Sequence, residues 1–151
     1  MIEAIGSWPG AVWLQQTWFA YLFVNAAHIL GIGVLVGAIV PLDLRLLGCF
    51  SQHPIEVLGP FLVRCAAAGL VLAALTGLWL FSVKPEEYLA NDAFRWKVAL
   101  IVVALLNVAV QHRALRSPTG WRLSTLTRFG AGASLCLWVS VLVAGRWIGF
   151  L

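Results

Sequence analysis

Residues 17–40 read TWFAYLFVNAAHILGIGVLVGAIV, a stretch that contains no aspartate, glutamate, lysine or arginine. A helix needs about 20 mostly apolar residues to cross the hydrocarbon core of a bilayer. The stretch is long enough, so it predicts a transmembrane helix, and it holds a single histidine, His28. The start Met1-Ile2-Glu3 lacks the basic region of a signal peptide, so we expect this first apolar run to be retained.

Three further apolar runs have the length of a membrane crossing, at residues 61–83, 94–111 and 129–150. Short polar joints separate them, and none of the joints is long enough to form a domain of its own. The sequence therefore predicts an all-α fold, an integral membrane four-helix bundle that forms one transmembrane domain over residues 1–151.

The composition supports a membrane environment. Hydrophobic residues make up 62% of the chain and charged residues 11%, whereas soluble domains carry about 25% charged residues. The chain has a net charge of +4, and its charged residues lie mainly between the apolar runs. This distribution is typical of charges at a membrane surface. We therefore predict the lipid bilayer as a partner and expect no nucleic-acid binding.

The arginines predict the orientation. The joint between the third and fourth runs contains no acidic residue. It holds four arginines, Arg113, Arg116, Arg122 and Arg128. Under the positive-inside rule this joint is cytoplasmic, which places both termini in the periplasm if the protein lies in a bacterial inner (plasma) membrane.

Most of the tryptophans fall toward the predicted outer side. These are Trp8, Trp13, Trp18, Trp79, Trp96 and Trp147. Anchoring at the membrane interface is one interpretation. The other is a docking surface for an extracytoplasmic redox partner, or contacts with other membrane subunits.

Small residues at every fourth position predict close helix contacts. The second run carries such a stripe at Cys65, Gly69, Ala73 and Gly77, and the fourth run at Gly132, Cys136, Ser140 and Ala144. The first run has Gly33-x-x-x-Gly37. We also consider Gly31, close to His28, as a position that leaves room for a flat cofactor.

Polar groups at membrane depth are costly and are candidates for function. His28 lies in the first run, and Lys97, Asn107 and His112 lie in the third. Two imidazoles on different helices of a bundle can bind a haem iron from opposite sides, and basic residues at the helix ends can receive the propionates. The alternative is a packing hydrogen bond for His28 and an interfacial position for His112.

The depths of the two histidines differ. His28 is 12 residues beyond Gln16, and His112 is 17 residues beyond Arg95. At ~1.5 Å per residue this is a mismatch of roughly 7 Å. Either helix tilt absorbs the mismatch, or each histidine has its own role.

Residues 27–45, AHILGIGVLVGAIVPLDLR, resemble the first helix of small HemJ-like and CopD-like bacterial membrane proteins. A second resemblance covers Gly77-Leu-Trp-Leu80, Tyr88-Leu89 and Phe94-Arg-Trp-Lys97, and ends at Asn107 and His112-Arg113. The resemblance implies a four-helix fold and, from the HemJ side, a b-type haem held by histidine. It implies a metal-ligand role for His28 and His112, with Lys97 and Arg45 as supporting cofactor-binding charges.

These patterns lead to several functional hypotheses. The first is a membrane-embedded haem b protein that transfers electrons or anchors a redox complex as a non-catalytic oxidoreductase subunit. The second is a cofactor-free scaffold or assembly subunit. HemJ-like oxidation of a porphyrinogen and CopD-like copper transport are further alternatives. Copper(I) favours thiolate and thioether ligands, but Met1 is the sole methionine and the cysteines Cys49, Cys65 and Cys136 are scattered.

Overall fold

A computed structural model describes residues 5–52, 54–115 and 124–150, with the backbone alone at 114 and 115. Six α-helices and a final 3-10 turn account for nearly all of these residues. They are α1 (Pro9–Gln16), α2 (Trp18–Leu47), α3 (Ile55–Phe81), α4 (Pro85–Ala90), α5 (Asp92–Leu115), α6 (Thr125–Trp147) and the turn Ile148–Phe150. Arg116, Trp121 and Arg122, used above for the orientation or for the tryptophan pattern, lie outside the described residues.

Four of the described helices are long and apolar enough to cross a membrane, with mean hydropathies from 1.6 to 2.1. Large apolar side chains are exposed along them, including Phe23 (69%), Leu30 (61%) and Leu78 (67%). Such surfaces are stable in lipid rather than in water. The predicted fold class, an all-α four-helix bundle of a multi-pass membrane protein, is confirmed.

Two helix boundaries differ from the prediction because both prolines lie inside helices. The first run was predicted to end at residue 40, yet α2 continues through Pro41 to Leu47. The second was predicted to begin after Pro60, yet α3 begins at Ile55. A proline removes one helical hydrogen bond. If the helix ended there, more backbone N–H and C=O groups would lose their partners, and lipid offers no water to replace them. The helix therefore continues through the proline. The end of α2 is set by Gly48, which adopts φ 108° and donates its N–H to the Arg45 carbonyl.

The short helix α1, which was not predicted, covers the end of the bundle that carries both termini. Its own side chains Ala11 and Leu14 are buried against the bundle. The Trp79 Nε1–H donates to the Gly10 carbonyl at 3.0 Å, and the rings of Trp13 and Trp79 stack with centroids 6.1 Å apart. At least Trp13 and Trp79 of the outer tryptophans therefore join α1 to α3.

The second short helix, α4, lies within the polar joint between the second and third apolar runs and was not predicted. Pro85 opens it, as is common at a first helical position. Its Tyr88 packs against Phe81 and Phe94, with ring centroids 6.1 and 5.4 Å away. This aromatic cluster connects the end of α3 to the start of α5.

Helices α2 and α3 cross at two glycines. A Cβ atom on Gly31 would lie 2.7 Å from the Ala73 nitrogen, and one on Gly69 would lie 2.5 Å from the Leu35 nitrogen. The backbones therefore touch, as the stripe that includes Gly69 and Ala73 predicted. The space beside Gly31 is filled by α3, so the idea that it leaves room for a flat cofactor is wrong.

Among the small residues of the other two predicted stripes, only Ala144 is buried, at 7% exposed. Cβ atoms on Gly33, Gly37 and Gly132 would meet nothing within 4 Å, and Cys136 and Ser140 are exposed. The buried face of α6 instead includes Ala131, Ser134 and Trp138. Spacing alone marks small residues but does not show which side of a helix meets its neighbour.

The four long helices pack as two close pairs. Helix α2 packs on α3, α5 packs on α6, and α2 also packs on α6 to join the pairs. Helices α3 and α5 make at most marginal backbone contact among the described residues. A cleft therefore lies between α3 and α5, with α2 and α6 as its floor.

Candidate functional site

The cleft contains two separate groups of polar side chains. Near the end that carries the termini, His28 of α2 and Lys97 of α5 are close enough for the lysine charge to act on the imidazole. Toward the opposite end, His112 lines a cavity together with Asp43 and Ser134. We call these the outer site and the inner site.

His28 is held by α3 through one ring nitrogen. Its Nδ1 lies 2.9 Å from the Ala73 carbonyl oxygen and 3.1 Å from Thr76 Oγ1. The Thr76 hydroxyl donates its own proton to the Leu72 carbonyl at 2.6 Å, so it can only accept from the histidine. Since a carbonyl also only accepts, the proton must be on Nδ1. The neutral ring then carries a free electron pair on Nε2.

This arrangement is the one that prepares an imidazole to bind a metal. Ligating histidines usually donate their second ring N–H to a carbonyl or carboxylate, which fixes the tautomer and the ring orientation. The Ala73 carbonyl and the Thr76 hydroxyl of α3 provide that support for His28. Sequence spacing alone did not identify either partner.

Two glycines make room at the outer site. A Cβ atom on Gly77 would lie 2.9 Å from Cε1 of His28, so the imidazole packs closely against α3 there. A Cβ atom on Gly145 would lie 3.5 Å from both Cε and Nζ of Lys97. The lysine side chain therefore runs along α6, in the same part of the cleft as the histidine.

The structure does not bring the four predicted site residues together. The nearest residue of α2 in the inner cavity is Leu35, roughly 10 Å along the helix from His28 at ~1.5 Å per residue. His112 lines the inner cavity opposite residues 63–70 of α3, whereas His28 is bonded further along that helix, at Ala73 and Thr76. Arg45 is buried near the end of α2 and donates to the Ser51 carbonyl at 3.4 Å in the α2–α3 loop.

The inner site is a mainly apolar cavity of about 330 Å³ between α3 and α5. Its volume is within the usual range for small-molecule sites. Apolar side chains of α2, α3 and α5 form most of its wall, and the polar residues are Asp43, Gln111, His112, Ser134 and Trp138.

Three polar atoms in this wall have no hydrogen-bond partner in the part of the chain that the structure describes. They are Asp43 Oδ2, Gln111 Oε1 and Trp138 Nε1. Asp43 and Trp138 are each only 3% exposed. Ser134 of α6 lines the same wall as Asp43. Buried polar groups nearly always have partners, so three such atoms around one cavity indicate a place for a polar ligand group.

The inner site was missed because α2 was expected to end at residue 40. Continued through Pro41, the helix places Leu35, Ile39, Leu42, Asp43 and Leu46 on one face, at the i, i+4, i+7, i+8 and i+11 spacing. That periodicity is the signal that could have identified Asp43 as inward-facing. In addition, no group of three or more His, Cys, Asp or Glu side chains within 5–52, 54–115 and 124–150 is placed to hold a metal ion.

The fold and its cleft define a polytopic α-helical membrane protein. The chain belongs to a family described as "Family of unknown function (DUF6644)", which it matches over residues 9–151. No curated protein and no solved structure matches it. The family match covers all four spanning helices, but the family description names no function. The function is therefore argued from the two sites.

Proposed function

We propose that this protein is a membrane-embedded haem b protein whose iron would be held by His28. The observation that carries the proposal is the hydrogen bond from His28 Nδ1 to the Ala73 carbonyl, which leaves Nε2 as a free electron-pair donor. In globins and peroxidases a single proximal histidine holds the haem iron. One supported imidazole therefore fits a haem better than it fits a bare metal ion.

Lys97 supports the same proposal. A haem carries two propionates, and a cation at membrane depth is stabilised when it pairs with an anion. Lys97 lies in the same part of the cleft as His28 but on a different helix, so one helix would supply the ligand and another the counter-charge. Arg45 and His112 lie at the inner end and would not share this role.

A bound haem supplies one-electron redox chemistry. The residues of the chain hold and orient it: Thr76 and Ala73 fix the plane of the imidazole, and the apolar faces of the cleft exclude water. We propose a role in electron transfer or as the anchor of a redox complex. Location in a bacterial inner membrane with periplasmic termini is part of the proposal and rests on the arginine distribution.

A cofactor-free scaffold is the second candidate, and one observation favours it. The hydrogen bond from His28 to Ala73 joins α2 to α3, so it can stabilise the bundle without any cofactor. Under this alternative His28 is a packing residue, and its loss lowers stability without a spectral change.

The test is the dithionite-reduced minus oxidised absorption spectrum of the full-length protein, purified in detergent after expression with ample haem. We expect b-type bands in the wild type and in His112→Ala, and their loss in His28→Ala. Thr76→Val, which removes one support and keeps the ligand, serves as a matched variant with weakened binding. A colourless wild type, or bands that persist in His28→Ala, would overturn the proposal.

A further inference from the structure

The inner cavity is independent of the outer site. Its wall combines two acceptor atoms, Asp43 Oδ2 and Gln111 Oε1, with one donor, Trp138 Nε1–H, and none of the three has a hydrogen-bond partner among the residues that the structure describes. The Gln111 side chain is held in place by α6, because a Cβ atom on Gly130 would lie 3.0 Å from its Cγ and Cδ. The three groups come from α2, α5 and α6, so they converge only in the folded bundle.

We propose that this cavity binds the hydroxyl-bearing head of an apolar membrane molecule. A hydroxyl group both donates and accepts, so it can donate to Asp43 or Gln111 and accept from the Trp138 indole. The remaining wall is apolar and accommodates a ring or an aliphatic chain. The cleft lies between α3 and α5, the two helices that do not pack closely, so such a molecule can enter sideways from the bilayer.

The size and chemistry of the cavity fit two sources of a hydroxyl head. One is a hydroquinone, which presents two hydroxyls on a flat ring. The other is a long-chain aliphatic alcohol with a single hydroxyl. Both would leave their apolar tail in the membrane while the head meets the three polar atoms.

Unpartnered buried atoms reduce stability unless a ligand satisfies them. Replacing a residue that is retained for binding should therefore leave the ligand-free protein at least as stable as the wild type. A residue with a structural role should behave in the opposite way. This contrast gives a readout that does not depend on any activity.

The experiment is thermal unfolding of the full-length detergent-purified protein, titrated with decylhydroquinone under reducing conditions, with its dimethyl ether, and with farnesol. The ether has the same ring and tail but no hydroxyl donor, so it controls for partitioning into the micelle. A saturable rise in Tm with decylhydroquinone and not with the ether supports the proposal and identifies a hydroquinone. The same rise with farnesol alone supports it and identifies an aliphatic alcohol. Equal shifts with the ether, or no shift with any of the three, overturn it.

Variants test the three groups separately. Trp138→Phe, Gln111→Leu and the double variant Asp43→Leu with Ser134→Ala should each weaken binding about tenfold while keeping the Tm of the ligand-free protein near or above that of the wild type. Ser140→Ala, on an exposed part of α6, should bind like the wild type. Full binding by all three cavity variants would overturn the assignment. Because His28→Ala leaves the inner cavity intact, it should still bind, which separates this proposal from the haem proposal.

Discussion

The Nδ1 atom of His28 lies 2.9 Å from the carbonyl oxygen of Ala73, on a neighbouring helix. The partner is a backbone acceptor, so no rotation of a side chain can reverse the direction of the bond. It fixes the tautomer of the imidazole and the plane of its ring. The same atom pair also joins α2 to α3 beside the Gly31–Gly69 crossing, where the backbones are in contact.

The first prediction concerns that crossing. Gly31→Ala and Gly69→Ala should each lower stability by about 1–3 kcal/mol, because the added methyl group would overlap the backbone of the facing helix. The measurement is the Tm in detergent. Gly33→Ala and Gly37→Ala are matched controls, since their methyl groups would meet nothing within 4 Å. Equal losses at all four positions would show that the crossing lies elsewhere.

The second prediction is that Gly77→Ala affects the outer site selectively. In Gly77→Ala the new methyl group would lie 2.9 Å from Cε1 of His28, so the imidazole must move away from α3. We expect weaker haem retention during purification and broadened or shifted haem bands, with a smaller change in Tm than for Gly69→Ala. Unchanged bands in Gly77→Ala would indicate that the iron is not bound through His28.

Removing the charge of Lys97 should shift the midpoint reduction potential of the haem. By Coulomb's law a unit positive charge about 8 Å from a redox centre contributes ~2 kcal/mol at an effective dielectric constant near 20, and a charge of this sign would favour the reduced form of a haem bound nearby. Lys97→Met should therefore lower the midpoint potential by on the order of 50–100 mV by this Coulomb argument, whereas Lys97→Arg should stay close to the wild type. The measurement is a redox titration followed by absorbance. An equal midpoint potential in Lys97→Met and Lys97→Arg would show that the charge of Lys97 does not act on the haem.

Tyr88 in α4 predicts a loss of stability at high pH. Burial raises the pKa of the Tyr88 hydroxyl above its ordinary value of 10.0, and Tyr21 and then Glu87 act in the same direction. The folded protein therefore keeps this proton at a pH where the unfolded chain has lost it. The resulting stabilisation is complete below pH 10.0 and falls as the pH rises from there toward the folded-state pKa.

The measurement for Tyr88 is Tm against pH between about 8.5 and 11 for the wild type and Tyr88→Phe. The variant keeps the ring that packs on Phe81 and Phe94 but cannot ionise. We expect a shallower decline for Tyr88→Phe above the ordinary tyrosine pKa. Parallel curves for the two proteins would assign the decline to other groups.

The sequence by itself determined the four spanning helices, because their apolar length is a local property and lipid leaves few alternatives to a helix. It also predicted His28 and Lys97 as candidate site residues, since ionisable groups at membrane depth are rare and costly. It misplaced the end of α2 and the start of α3. Pro41 and Pro60 predict helix boundaries by their usual effect, yet both lie inside helices in the structure. Local patterns therefore predicted the elements well and their boundaries less well.

Only the tertiary structure decided which polar groups meet. The tautomer of His28 depends on a carbonyl that lies 45 residues away in the chain, and the inner cavity joins side chains from α2, α5 and α6. Helix rotation and pairing decide such contacts, and in lipid they depend on close backbone packing rather than on burial of apolar faces. The crossing of Gly31 with Gly69, invisible in either segment alone, is what positions the outer site.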